Sequence, residues 1–403
     1  MALIVQKFGG TSVGDVERIK NVAKKVIATK KAGNEVIVVV SAMSGTTDYL
    51  INLGKQITET PSKREMDMLV TTGEQVTSAL LSIAIHNEGT DAVSYNAMQI
   101  GLKTTADYTR AKILDIQTER IMGSIKEGKI VVIAGFQGVD ENMNYTTLGR
   151  GGSDTTAVAI AAAVKADRCD IYTDVDGVYT ADPRIVKGAK KLNQITHDEM
   201  LELASMGAKV LHDRSVIFAM KYGVPLRVVS TFIDNEGTMI VKESDYMEDL
   251  VITGIAKKGD ETRVDICDIP DKPGVAAAIF KKLGDNKINV NMIVQSMGKD
   301  GKSQISFTIL STDLTDAKRY MDELKKDLNA GSITYDDNIA IVSVVGIGMR
   351  ANSGVAAAVF DELAKNKINI EMISTSEIKI SVVIRKDLAD DTVRLLHKRF
   401  FNA

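Results

Sequence analysis

The chain of 403 residues has no tryptophan, five prolines, four histidines and two cysteines. Cys169 and Cys267 stand about a hundred positions apart, which suits neither a disulfide framework nor a zinc cluster. They read as small buried hydrophobes in a reducing cytosol. The histidines His86, His197, His212 and His397 are scattered and lack the spacing of a metal-binding helix, so surface or core roles fit them better than metal ligation. An excess of either charge is missing too: 50 basic residues face 53 acidic ones, and a net charge of -3 offers no broad positive field to a nucleic acid. The longest apolar runs, such as Ala157 to Val164, fall well short of the roughly 20 residues needed to cross a bilayer. The first residues also lack the basic stretch and apolar core of a signal peptide. These absences point to a cytoplasmic chain with no nucleic-acid or membrane partner.

What is present is a globular composition, 44% hydrophobic and 26% charged, in a chain long enough for about two or three domains. The first half alternates β-rich runs with helical patterns. ALIVQKF reads as a strand, and Ile19, Val22, Ala23, Val26 and Ile27 then recur on one helix face. EVIVVVSAMSG and KIVVIAGFQGV suit strands buried on both faces. A helix through TTAVAIAAAVKA, a strand RCDIYTDV and a later strand VPLRVVS continue the pattern. Such alternation predicts an α/β domain over residues 1–240, with a mainly parallel sheet sandwiched by helices and ligands gathered beyond the carboxyl ends of its strands.

After about residue 240 the texture changes. GVAAAIFKKLGDNKINVNMI, from Gly274, returns as GVAAAVFDELAKNKINIEMI, from Gly354. Two related α+β modules are implied. The first spans 263–338, and the second, which runs out of strands at its end, spans 339–403 and borrows the β-rich segment 250–262. One module would then be inserted within the other.

Four stretches carry candidate chemistry. KFGGTSVG fits neither the P-loop nor the dinucleotide fingerprint, because its lysine precedes the glycines. Lys7 would stand at a strand's carboxyl end while the Gly9 and Gly10 amides approach an oxyanion, helped by a helix starting at about Asp15. The plainer alternative is a tight turn with a solvated lysine. TLGRGGSDTTA repeats the arrangement: Arg150 could hold a carboxylate through two parallel hydrogen bonds, with Asp154 just inside a helix. A glycine loop capped by Ser153 or Asp154 is the alternative there. TDVDGVYTADPRIV is a loop whose Asp-Gly and Asp-Pro pairs explain turns, though Asp174, Tyr179 and Arg184 could frame a nucleotide. In LVTTGEQVTSALL, Glu74 begins a helix, as a dipole partner or as a partner for a substrate ammonium. No set of metal ligands is evident, so a metal ion would arrive with a nucleotide.

Taken together, KFGGTSV, VVSAMSGTTD, TTGE, TLGRGGSD, TDVDGVYTADPR and GAKVLH resemble, in order and over nearly the whole chain, the aspartate kinases of the amino acid kinase superfamily. Those carry two C-terminal ACT domains of ferredoxin-like fold, which the repeated modules resemble. The resemblance implies a phosphotransferase with a carboxyl group as acceptor. It moves the γ-phosphoryl of ATP, with Mg2+, to the side-chain carboxylate of L-aspartate, giving 4-phospho-L-aspartate, the first step toward lysine, threonine and methionine. By that resemblance Lys7 and Asp154 are catalytic, and Lys7, Gly9, Gly10, Thr173, Asp174, Tyr179, Asp182, Arg184, Lys209 and Val210 meet ATP. Ser41, Thr47, Glu74, Arg150, Gly151, Gly152 and Ser153 meet aspartate, Glu74 at its ammonium and Arg150 at its α-carboxylate. Asp271, Gly274, Val275, Ala276, Asn289 and Gln295 fall where a feedback inhibitor, lysine or threonine or both, would bind. ACT domains that pair between chains imply a homodimer or larger. An internal start at Met247 would make a separate regulatory subunit. A kinase for glutamate or N-acetylglutamate, and a sensor that has lost catalysis, are the rival readings.

Overall fold

The computed structural model describes residues 1–207, 210–242, 251–298, 301–328 and 330–402, with the side chains of Lys326 and Asp327 left aside. Lys209, Met247 and Leu250 lie outside the described residues. The residues group into two units: one takes Met1–Val178, Lys191–Ser205 and Lys209–Met247, the other Tyr179–Lys190, Met206–Ala208 and Glu248–Ala403.

In the first unit the runs of Val and Ile form the strands β1 (Leu3–Phe8), β2 (Glu35–Val40), β3 (Ala92–Tyr95), β4 (Lys103–Thr104), β5 (Ile113–Asp115) and β6 (Ile130–Ala134). They continue as β7 (Gln137–Val139), β8 (Tyr145–Thr147), β9 (Arg168–Thr173), β10 (Gln194–Thr196), β11 (Leu226–Ser230) and β12 (Thr238–Val241). Its helices are α1 (Val16–Lys31), α2 (Thr46–Ile57), α3 (Lys63–Val70), α4 (Thr72–Asn87), α5 (Glu119–Lys126), α6 (Gly152–Ala163), α7 (His197–Ser205) and α8 (Asp213–Tyr222). Eight strands make the main sheet, in the order β10-β12-β11-β9-β1-β2-β6-β3, and only the β11/β12 pairing is antiparallel. The anticipated mainly parallel sheet is thus observed. A small second sheet, β5-β4-β7-β8, was not legible in the sequence, because strands of two or three residues leave no periodicity to detect.

Helix α1 starts where expected, with the Asp15 carboxylate accepting from the Arg18 amide at 2.9 Å. Its apolar stripe, Ile19, Val22, Ala23, Val26 and Ile27, packs with Leu81 and Ile85 of α4 on Phe8, Val36, Val38, Val40 and Val132 of the sheet. Helix α6 is apolar on all sides because it is buried on all sides, against β1, β2, β9 and α8. The joined stretch Lys63–Asn87 is, among the described residues, long and apolar enough by composition to cross a bilayer. Half of its most apolar window is buried within the unit, as in a core helix.

The second unit contains β13 (Gly254–Lys258), β14 (Glu261–Pro270), α9 (Val275–Asp285), β15 (Val290–Met297), β16 (Lys302–Leu310), α10 (Leu314–Asp327) and β17 (Ser332–Asp336). After them come β18 (Ile339–Val345), α11 (Val355–Lys365), β19 (Met372–Thr375), β20 (Lys379–Arg385) and α12 (Ala389–Phe401). Two antiparallel sheets result, β15-β16-β14-β17 and β13-β18-β20-β19, so β13 joins the sheet of the second repeat through β18. A domain boundary at 240 leaves Tyr179–Lys190 with the kinase half, whereas these residues group with the C-terminal unit. Ala181 and Val186 explain why: they are buried among Ile255, Val393 and Leu396.

Candidate active site

Four parallel strands end at one edge of the main sheet: β1 at Phe8, β2 at Val40, β6 at Ala134 and β9 at Thr173. The turns that follow them bring together residues far apart in the chain. Lys7, near the tip of β1, is 9% exposed, and its Nζ lies 2.5 Å from Oδ1 of Asp154, in the first turn of α6. Desolvation of a lone ammonium would be costly, and the opposite carboxylate offsets it. Lys7 is therefore a fixed cation rather than a solvated surface lysine.

Gly10 follows, with a backbone so close to β2's turn that an added Cβ would stand 3.0 Å from the Ala42 carbonyl oxygen. The neighbouring glycine departs from expectation. Gly9 N–H donates to Tyr172 O at 3.3 Å, extending the β1/β9 pairing past the strand end, so it is already engaged and the pair of free amides read from the sequence reduces to Gly10.

On the other side of Ala42 stands Glu74. It is 3% exposed, its Oε1 accepts from the Ala42 amide at 3.1 Å, and its Oε2 is buried with no hydrogen-bond partner. Burial pushes this carboxyl up to about 7, against the pull of the Ala42 bond. A buried carboxylate oxygen without a partner is costly unless a ligand completes it, and an ammonium is the natural complement. Ser41, next to Ala42 in the chain, and Thr47, in α2, are both half-buried.

The loop 148–151 between β8 and α6 presents Arg150, which is exposed, and the first turn of α6 buries Ser153. Gly151 has φ of 66°, and an added Cβ would fall 2.2 Å from Cγ of His212, so no other residue fits there. Two side chains that hold the approach to this loop, at Thr147 and Leu148, were missed. Asp67 of α3 accepts from the amides of Thr109 and Thr147 and from the Thr147 hydroxyl, at 2.8 to 2.9 Å. Burial raises its pKa, and those three bonds oppose the rise. Asp67 lies on α3 and Glu74 in the first turn of the next helix, α4, and both are buried. Arg214 of α8 donates to the carbonyls of Leu148 and Ala111, both at 2.7 Å; a lone arginine in a helix offered no signal.

At the tip of β9, the Thr173 hydroxyl donates to Asp174 Oδ1 at 3.1 Å, and the Thr173 carbonyl accepts from Thr231 N–H. Thr231 in turn shares a buried hydroxyl pair with Ser12 of the first turn, at 2.6 Å. Val210 is half-buried. Tyr179, Asp182 and Arg184 belong to the second unit, where Arg184 donates to both oxygens of Asp182, at 2.7 to 3.2 Å. Among the described residues no group of three His, Cys, Asp or Glu side chains could hold a metal. A divalent ion arriving on nucleotide phosphates needs few protein ligands, and the carboxylates of Asp154 and Asp174 are of the oxygen type it takes.

In the second unit, Asp271, Gly274, Val275, Ala276 and Gln295 line a cavity of about 330 Å3 with Ser303. Asn289, grouped with them from the sequence, is exposed and not among the lining residues.

A paired lysine, a close glycine turn and a buried carboxyl gathered at the strand tips of a parallel sheet suit the binding of a small charged ligand. Comparisons agree. The profile of the Amino acid kinase family matches residues 2–230, and that of the ACT domain matches 268–323 and 342–400. An aspartate kinase of Pseudomonas putida is 51% identical over 99% of this chain and 98% of its own. Aspartokinase 2 of Bacillus subtilis is 50% identical, over 99% and 98%. The crystal structure of E. coli aspartokinase III in complex with aspartate and ADP superposes with a TM-score of 0.85 at 25% identity, covering 99% of this chain and 100% of that one. The same enzyme in complex with lysine and aspartate gives 0.76. The chain therefore belongs to the amino acid kinase family and, within it, to the aspartate kinases.

Proposed function

We propose that this chain transfers the γ-phosphoryl group of ATP to the side-chain carboxylate of L-aspartate, giving 4-phospho-L-aspartate and ADP. One observation carries the reading: the Lys7–Asp154 pair and the partnerless Glu74 oxygen flank the same turn, one suited to phosphate and the other to an ammonium. The aspartate ammonium pairs with Glu74, its α-carboxylate with Arg150, and Ser41, Thr47, Gly151, Gly152 and Ser153 complete the cradle. Thr173, Asp174, Tyr179, Asp182, Arg184, Lys209 and Val210 take the nucleotide.

In the reaction an oxygen of the aspartate side chain forms a bond to the γ-phosphorus as the bond to the β-bridging oxygen breaks, the electron pair leaving with ADP. That nucleophile is ionised at neutral pH and needs no base. Asp154 therefore holds Lys7 in place, and Lys7 with the Gly10 amide balances charge on the transferring group. Asp154 and Asp174 would hold Mg2+ arriving with the nucleotide, which would supply neutralisation of phosphate charge.

We further assign residues 1–240 to the catalytic domain, 263–338 to one ACT module, and 250–262 with 339–403 to the other. Asp271, Gly274, Val275, Ala276 and Gln295 take lysine, threonine or both as inhibitor, in a cytoplasmic homo-oligomer. The reading draws support from relatives that are aspartate kinases over their whole length. Its test is Lys7→Ala, assayed by trapping the acyl phosphate as hydroxamate, with aspartate, glutamate and N-acetylglutamate offered in turn. Turnover on aspartate should fall by about 100- to 1,000-fold, the usual cost of one preorganised donor. A folded Lys7→Ala protein at the parental rate, or a parent that prefers another acceptor, would sink it.

A further inference from the structure

The segment Tyr179–Lys190 leaves the kinase unit after Val178 and rejoins it at Lys191, yet it is built into the core of the second unit. Thr180 is its anchor. The Thr180 amide donates to Lys190 O at 2.9 Å, and its carbonyl accepts from Ile255 N–H of β13 at 2.8 Å. Its hydroxyl oxygen accepts from Lys190 N–H at 2.9 Å and lies 2.8 Å from Nε2 of His397, on α12. Thr180 is 2% exposed and His397 not at all. One turn away, Arg394 donates to the carbonyl of Ile185 at 3.1 Å. Helix α12 thus holds the segment at two points.

An imidazole in such a place is costly. Its Nδ1 is buried with no partner, its ring stacks on Phe401 with centroids 4.6 Å apart, and burial, reinforced by Lys190, lowers its pKa. A leucine or phenylalanine would fill the volume without a stranded nitrogen. What the polar pair adds is registry, since only one seating of the segment satisfies both Thr180 and His397.

We propose that His397 is a positioning residue for the nucleotide: through Thr180 it sets the conformation in which Tyr179, Asp182 and Arg184 are presented. The inference rests on assigning those three residues to ATP.

Thr180→Val removes the hydroxyl at nearly constant volume. It should raise the KM for ATP and the calorimetric Kd for ADP by about fivefold or more, the worth of one hydrogen bond. The KM for aspartate should stay within about twofold, and Thr180→Ser should restore ATP binding. Adding His397→Phe to Thr180→Val should bring little further loss. If Thr180→Val does not fold, His397→Phe is read on the same split. Arg184→Ala separates the two layers. If it raises the KM for ATP while Thr180→Val and His397→Phe leave it unchanged, the positioning role fails and the nucleotide assignment survives. If Arg184→Ala also leaves it unchanged, the assignment fails and the inference with it. A parallel rise in both KM values, unrescued by serine, would mean general loosening and also overturns the proposal.

Discussion

The two C-terminal repeats share a backbone and divide in use. Gly274 and Gly354 cap their helices with φ of 99° and 97°, and Lys287 and Lys367 close the following turns at 60° and 57°. Leu283 and Leu363 fill equivalent core positions, both fully buried. The difference lies around the frame. The first repeat opens with Asp271, Lys272 and Pro273 over a cavity, where the second has Ala351, Asn352 and Ser353. Meanwhile the second repeat buries Ala181 and Val186 of the 179–190 segment, and among the described residues the core of the first has no such guest. Duplication thus left one copy beside a cavity and the other with the 179–190 segment in its core.

That contrast can be tested most sharply in the cores. Leu283→Ala and Leu363→Ala should each cost about 2–5 kcal/mol of unfolding free energy in urea titrations. Only Leu363→Ala should also raise the KM for ATP, because only its cluster includes the 179–190 segment; equal kinetics in the two variants would erase the division of labour.

Glu74 belongs to neither repeat. Its carboxyl is held at about 7 when folded, against an ordinary 4.5. Between those values the folded state binds the extra proton, so stability due to this group is full below 4.5 and lost as pH rises to about 7. Glu74→Gln should therefore stabilise the ligand-free protein at pH 8 by about 1–3 kcal/mol, with the gain shrinking toward pH 4.5, while weakening aspartate binding. Urea midpoints at the two pH values, unchanged by the substitution, would show that the carboxylate finds a partner after all.

The smallest effect concerns the cavity. Asp271→Ala should raise the lysine or threonine concentration needed for half-inhibition by about tenfold, as expected for one charge-assisted contact. Ala351→Asp, at the matching place in the second repeat, should confer no new response. Inhibition curves that shift with Ala351→Asp and not with Asp271→Ala would reverse the roles given to the two copies.

Much of this was legible in the chain. The order of strands and helices, the internal repeat, and the strand-tip motifs around Lys7, Glu74 and Arg150 follow from local pattern, because apolar periodicity and glycine placement are properties of a few consecutive residues. What tertiary structure alone decided is which distant groups meet. No local rule joins Lys7 to Asp154 across 147 positions, consumes the Gly9 amide on Tyr172, ties Thr147 to Asp67 and Leu148 to Arg214, or lodges Thr180 against His397. Those pairings arise from buried polar groups finding their only available partners once the sheets have closed, and a linear pattern does not encode which partner that will be.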